Sequence, residues 1–124
     1  EKRYLTASKE VVWKSLLDSC KIVPRTIWIY GTGNYGSLCG YLFRHFEDRR
    51  IFYADSNEEK WGKSIWGIPV MQPAKIKHTE ETLVITAMKY AETIIEELSK
   101  GGYQRGIDLL EFSVLVSAIN DSMM

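Results

Sequence analysis

Residues 26–36 read Thr-Ile-Trp-Ile-Tyr-Gly-Thr-Gly-Asn-Tyr-Gly. Thr26 to Tyr30 are all β-branched or aromatic and carry no charge, the composition of a short buried strand closed by glycine. Gly31 to Gly36 spell G-x-G-x-x-G. Beyond them Leu38, Leu42, Phe43 and Phe46 recur at helical spacing, so a helix is expected from Asn34 to about Phe46. A strand that runs through a glycine turn into a helix is the context this motif requires. In that context Gly31 permits the tight turn, Gly33 lets a phosphate approach the backbone, and Gly36 lets the helix pack on the strand. The first N–H groups of such a helix have no partner within it, and the helix dipole favours an anion there. Gly36 and Gly40 stand four apart on one helix face. Each costs about 1 kcal/mol against alanine, which close packing on a strand would justify.

Outward from this turn the pattern repeats. Ile51 to Ala54 reads as a second strand ending at Asp55, about twenty residues past the motif, where a ribose-binding acid stands in dinucleotide-binding units. Ser56 and Asn57 follow with no arginine, which argues against a 2′-phosphate and so against NADP. Ser56 to Pro73 is irregular, with Ile65 and Ile68–Val70 as short edge pieces beside Pro69. Thr82 to Thr86 is a third strand, followed by a helix from about Tyr90 to Lys100 that Gly101 and Gly102 cap. Ile107 to Phe112 is a fourth strand, and Val114 to Ile119 fits either helix or strand. Upstream, Val12, Trp13, Leu16, Leu17 and Cys20 form an amphipathic helical stripe that Thr6 or Ser8 can cap and Pro24 ends. Strands alternating with helices predict an α/β domain: a Rossmann-like half unit with a parallel sheet of about four strands in the order 3-2-1-4, flanked by helices.

Composition narrows the function. One domain over residues 1–124 suits this length. Sixteen basic residues balance sixteen acidic ones, so there is no basic stripe for nucleic acid. No run approaches the roughly twenty apolar residues of a membrane span. Cys20 and Cys39 fall in apolar helical patterns and not in a CxxC pair, so buried thiols in a reducing, cytoplasmic compartment are expected. The chain opens on Glu1 and not on Met, which suggests a segment of a longer protein.

The runs IWIYGTGNYG, FYADSNEEKWGKSIWGIPVMQP and LVITAMKYAETIIEEL give the spacing Gly31, Gly33, Gly36, Asp55, Asn57, Lys60, Gly62, Gly67, Ile68, Pro69, Val70 and Pro73. In this the chain resembles, over about residues 25 to 112, the small Rossmann-like domains of bacterial surface-polysaccharide enzymes. One such domain is the N-terminal nucleotide-sugar-binding domain of sugar acetyltransferases whose second domain is a left-handed β-helix. Similar modules are attached to glycosyltransferases and sugar methyltransferases. The resemblance implies a nucleotide-sugar ligand, a UDP-sugar, with its diphosphate near the glycine turn and its nucleoside at Asp55. Asn34 and Tyr35 depart from the small or histidine-containing pair that the acetyltransferases place after the second glycine. The β-helix is absent from these residues, so no catalytic residue is assigned. Catalysis is expected in an attached domain, with a homo-oligomer as another way to complete a site.

The expected nucleotide-binding residues are Gly31, Thr32, Gly33, Asn34, Tyr35, Gly36, Asp55, Ser56 and Lys89. Lys89 follows the third strand at the carboxyl edge, where open α/β sheets bind ligands, although a solvated lysine is the simpler reading. Tyr35 could stack on a base or a sugar, or merely pack. Trp61 and Trp66 either cover the sheet edge or meet a partner. His45 and His78 have no second ligand at metal spacing. Two alternatives stand beside the nucleotide-sugar reading. One is an NAD-binding dehydrogenase or redox-sensing fragment, for which a single mononucleotide half is incomplete. The other is a scaffold in which the glycines serve only the turn.

Overall fold

The computed structural model describes residues 2–124. Six strands form one sheet: β1 Thr26–Tyr30, β2 Arg50–Ala54, β3 Ser64–Ile65, β4 Ile68–Met71, β5 Thr82–Thr86 and β6 Leu109–Glu111. Their spatial order is β3-β4-β2-β1-β5-β6, parallel throughout except that β3 pairs antiparallel to β4. The helices are α1 Lys9–Ser19, α2 Asn34–Phe43, α3 Glu92–Lys100 and α4 Phe112–Ser122. A short 3-10 turn at Arg3–Thr6 precedes α1, and Ser8 caps it by accepting from the Val11 N–H at 3.2 Å.

Every residue of β1 and β5 is buried, as central strands require. On one face Ile27, Ile29, Leu83, Ile85 and Leu110 pack against Leu16 of α1, Cys39 and Phe43 of α2, and Leu115 and Ile119 of α4. On the other, Trp28, Tyr30, Val84 and Leu109 meet Ile95 of α3 and Tyr103. Fully burying one such aliphatic side chain is worth roughly 1.5–3 kcal/mol, so these two layers dominate the stability. Both cysteines are free and buried in the first layer, and burial pushes both thiols up. Among the described residues no helix is long and apolar enough to cross a membrane.

The sheet departs from the expected four strands in the order 3-2-1-4. The Thr82–Thr86 strand does not lie beyond β2; it pairs along its whole length with β1, on the side away from β2. The place beyond β2 belongs to β4, which pairs with β2 through Tyr53↔Val70 and Ala54↔Met71. Pro69 lacks an N–H and is exposed, while Ile68 and Val70 on either side are buried. The ladder to β2 begins only after Pro69, so the proline removes no bond from it. Counting β4 as the third parallel strand gives 3-2-1-4-5, with β3 as an antiparallel edge.

The β3–β4 turn explains the edge. Trp66 and Gly67 both have positive φ, 57° and 77°, as a two-residue hairpin turn of the primed type needs. For tryptophan that conformation costs about 1–2 kcal/mol. Its indole offsets this by donating to the Ser37 carbonyl at 2.9 Å and packing edge-on against Tyr41 of α2, 5.2 Å between ring centres.

The last helix settles the unassigned stretch. α4 starts directly after β6 with no loop between them and packs against α1, where Ser15 and Ser122 hydroxyls lie 3.3 Å apart. α2 ends at Phe43, short of the expected Phe46, in a turn where the Phe46 N–H donates to the Phe43 carbonyl.

Candidate functional site

From β1 the chain crosses to β2 and β4 on one side, and later to β5 and β6 on the other. The boundary between β1 and β5 is therefore a topological switch point, and the crevice outside its carboxyl ends is where open α/β sheets bind ligands. Two segments meet there: Gly31–Gly36 after β1 and Ala87–Lys89 after β5.

Gly31 has φ 110°, and its N–H donates to the Ala54 carbonyl at 2.8 Å. A Cβ there would stand 2.8 Å from the Ala87 carbonyl oxygen, so backbone conformation and space both demand glycine. A Cβ on Gly36 would stand 2.0 Å from the Gly31 carbonyl oxygen, which fixes the second close approach. Gly33 differs. Its φ is −77°, open to any residue, and a Cβ on it would meet nothing within 4 Å. It is also the N-cap of α2 and supplies no side chain to the first-turn N–H groups. Asn34 and Tyr35 begin the helix exposed.

Thr32 turns inward. Its N–H and its hydroxyl both donate to Asp55 Oδ2, at 3.2 and 2.5 Å, and Lys60 Nζ donates to the same hydroxyl at 2.9 Å. Asp55 Oδ1 accepts from the Asn57 N–H at 2.8 Å. Burial alone would raise the Asp55 carboxyl. The Thr32 hydroxyl, the Asn57 N–H, the Lys60 ammonium and the Thr32 N–H outweigh it and hold the pKa below the usual carboxylate value. An ionised carboxylate has about four lone-pair sites. Three are already taken by the chain, which leaves room for about one bond from a ligand hydroxyl.

The segment after Asp55 folds back over the turn. Trp61 donates its indole N–H to the Asp55 carbonyl at 2.6 Å and remains half-buried at the surface. Both tryptophans thus spend their N–H groups within the chain and leave their rings partly exposed. Ser56 is exposed.

Beside the turn lies a cleft of about 440 Å³ lined by Tyr35, Thr86, Lys89, Glu111, Phe112 and Ser113, among others. It brings together residues from the start of α2, the ends of β5 and β6, and the start of α4. The Lys89 ammonium sits 5.6 Å from the Tyr90 ring centre, and Tyr35 is about half exposed. A ligand pocket typically holds about 300–1,000 Å³, so this cleft is large enough for a substantial part of a small molecule. A hollow of about 340 Å³ between Trp13 and Arg49 lies by the segment leading into β2, at the amino edge, away from the switch point.

Most of the predicted residues fall into two adjoining groups: Gly31, Thr32, Gly33, Asn34, Gly36 and Asp55 form the turn, the start of α2 and the brace, and Tyr35 and Lys89 line the cleft, while Ser56 is exposed and belongs to neither. Lys60 is the residue that sequence reasoning did not assign to the site. Its signal was present in the Lys60-x-Gly62 spacing after Asp55 and Asn57. Chemically the arrangement offers unpaired helix N–H groups, an open glycine face and two lysines, which suits an anionic ligand.

No family model matches this chain, and neither a curated protein nor a solved structure shows significant similarity to it.

Proposed function

We propose that this chain is a nucleotide-sugar-binding module, for a UDP-sugar, that serves an enzyme of bacterial surface-polysaccharide synthesis and leaves the chemistry to an attached domain. In this reading the diphosphate lies over Gly33 at the start of α2, and Lys60 and Lys89 flank it. The sugar and polysaccharide parts rest on the resemblance of residues 25 to 112 described above. The anion site rests on Gly33. Gly31 and Gly36 each have a reason within the fold to be glycine, whereas Gly33 has neither a strained φ nor a neighbour within 4 Å. A glycine at that place leaves the helix N–H groups uncovered, where Ser, Thr, Asp or Asn would have capped them.

A second reading, the turn as scaffold, is favoured by the use of Asp55 to brace Thr32. A thermal-shift panel of UDP-sugars, dTDP-sugars, NAD and CoA on the native chain and on Gly33→Val separates them. A ligand at a hundred times its Kd adds about 2.7 kcal/mol of stability, an upward shift of several degrees in Tm. A UDP-sugar is expected to raise the Tm of the native chain but not that of Gly33→Val. Without ligand the variant melts within a few degrees of native, because the side chain enters open space. A larger shift with NAD would move the function to redox, and no shift with any ligand would leave the scaffold.

A further inference from the structure

The glycine turn has a different neighbour on each side. Toward β2, Asp55 and Lys60 brace Thr32. Toward β5 lies the cleft of about 440 Å³, and Tyr35 belongs to both turn and cleft: it is the second residue of α2 and part of the cleft wall. Its backbone N–H is one of the first-turn groups that α2 leaves without a side-chain cap. An anion held by those groups would therefore sit at the edge of the cleft.

The facing wall is α4. Phe112, Leu115 and Ile119 turn into the core, which leaves Ser113, Val116 and Ser117 together on the neighbouring helix face, and all three line the cleft. Ser113 and Ser117 are exposed and small, so this wall leaves the cleft open and brings two hydroxyls to it. Tyr35 is 46% exposed, and Lys89 is exposed just beyond β5. An accessible aromatic ring with a few polar groups around it suits an uncharged ring that carries hydroxyls. Covalent geometry supplies the direction. Asp55 is the acid that the motif sets against a ribose. With the nucleoside on the β2 side and the diphosphate over Gly33, whatever the second phosphate carries leaves toward β5.

We propose that the cleft between α2 and α4 takes the group carried on the second phosphate, a neutral hydroxyl-rich ring that packs on Tyr35 and hydrogen-bonds along Ser113 and Ser117. The proposal rests on the nucleotide reading of the glycine turn. Such a ring comes either from the hexose of a nucleotide-sugar or from the second ribose of a dinucleotide. Two ligand pairs that differ only in this ring distinguish the sources: UDP with UDP-glucose, and ADP with ADP-ribose. Calorimetric titration compares them on the native chain, Ser113→Trp and Ser117→Trp. Each variant fills the cleft from an exposed position on α4 and leaves the glycine turn and Asp55 untouched; should one fail to fold, the other decides. On the native chain UDP-glucose is expected to bind about tenfold more tightly than UDP, the net worth of one or two hydrogen bonds. Both variants should lose that gain and bind UDP as the native chain does. A gain shown only by ADP-ribose over ADP, and lost in the same variants, upholds the subsite and assigns it to a dinucleotide. No gain in either pair on the native chain, or a gain that survives in the folded variants, would overturn the subsite and leave the glycine-turn reading intact. So would variants that weaken UDP as much as UDP-glucose, since the nucleoside itself would then occupy the cleft. If none of the four ligands binds the native chain, the nucleotide reading fails and the subsite with it.

Discussion

Lys60, Thr32 and Asp55 form a relay in which the ammonium donates to a hydroxyl and the hydroxyl donates to a carboxylate. Asp55 has its pKa depressed in the folded chain, so it contributes stability that is present above the unfolded carboxyl pKa of about 3.9. That contribution is lost as pH falls through the lower folded value. Asp55→Asn removes the charge but keeps an oxygen that can accept. It is expected to cost about 1–2 kcal/mol at pH 7, from weakened charge-assisted bonds at a partly exposed site. The gap to the native chain should narrow as pH falls below about 4, where the unfolded chain's carboxyl takes up a proton, and close once pH passes the lower folded value and the native carboxyl protonates too. Denaturant titrations at pH 7 and pH 3 measure it, and a gap that stays constant would contradict the assignment. Asp55 was legible in the sequence because its distance from the glycine motif is set by one helix and one strand. Lys60 was not assigned, because it reaches Thr32 across 28 residues by way of an irregular segment whose course no periodicity describes.

The packing of α2 on the sheet is decided by how close two backbones come. Gly40 faces Tyr53 so tightly that a Cβ would stand 1.7 Å from the phenolic oxygen, and that phenol donates to the Gly36 carbonyl at 2.7 Å. In an open helix Gly→Ala gains about 1 kcal/mol. Here the overpacking costs more, so Gly40→Ala should destabilise by about 1–3 kcal/mol in urea unfolding. Adding Tyr53→Phe removes the clashing oxygen, and the double variant should lose less than the sum of the singles. Strict additivity would mean that the two residues do not meet as described. The paired glycines made a close approach of helix to strand readable in advance, but not that Tyr53 is the residue Gly40 meets. Other elements gave weaker signals. Apolar residues at Val114, Leu115, Val116, Ala118 and Ile119 suit a strand or a helix alike, and only packing against α1 shows the helix. In β4, Pro69 suggests an edge piece, yet the strand lies second from the edge because its proline falls outside the β2 ladder.

Across the whole molecule, the parallel α/β character follows from strands alternating with helices, and the expected binding edge follows from the glycine turn. The strand order did not follow, because order depends on which partner each strand meets across long connections. Once Ile68–Met71 is counted as a strand, β5 is displaced to the other side of β1, and the switch point falls between the glycine turn and Lys89. On the proposed function, this switch point holds a nucleoside diphosphate. The most direct measurement is an amide NMR titration of the intact chain with UDP, following every backbone N–H at once. The largest shift changes are expected at Thr32 to Gly36, with smaller ones at Lys60 and Lys89, and almost none along the amino edge at Arg49 and Arg50. Saturating shifts confined to the amino edge, or no shift anywhere at millimolar UDP, would contradict it.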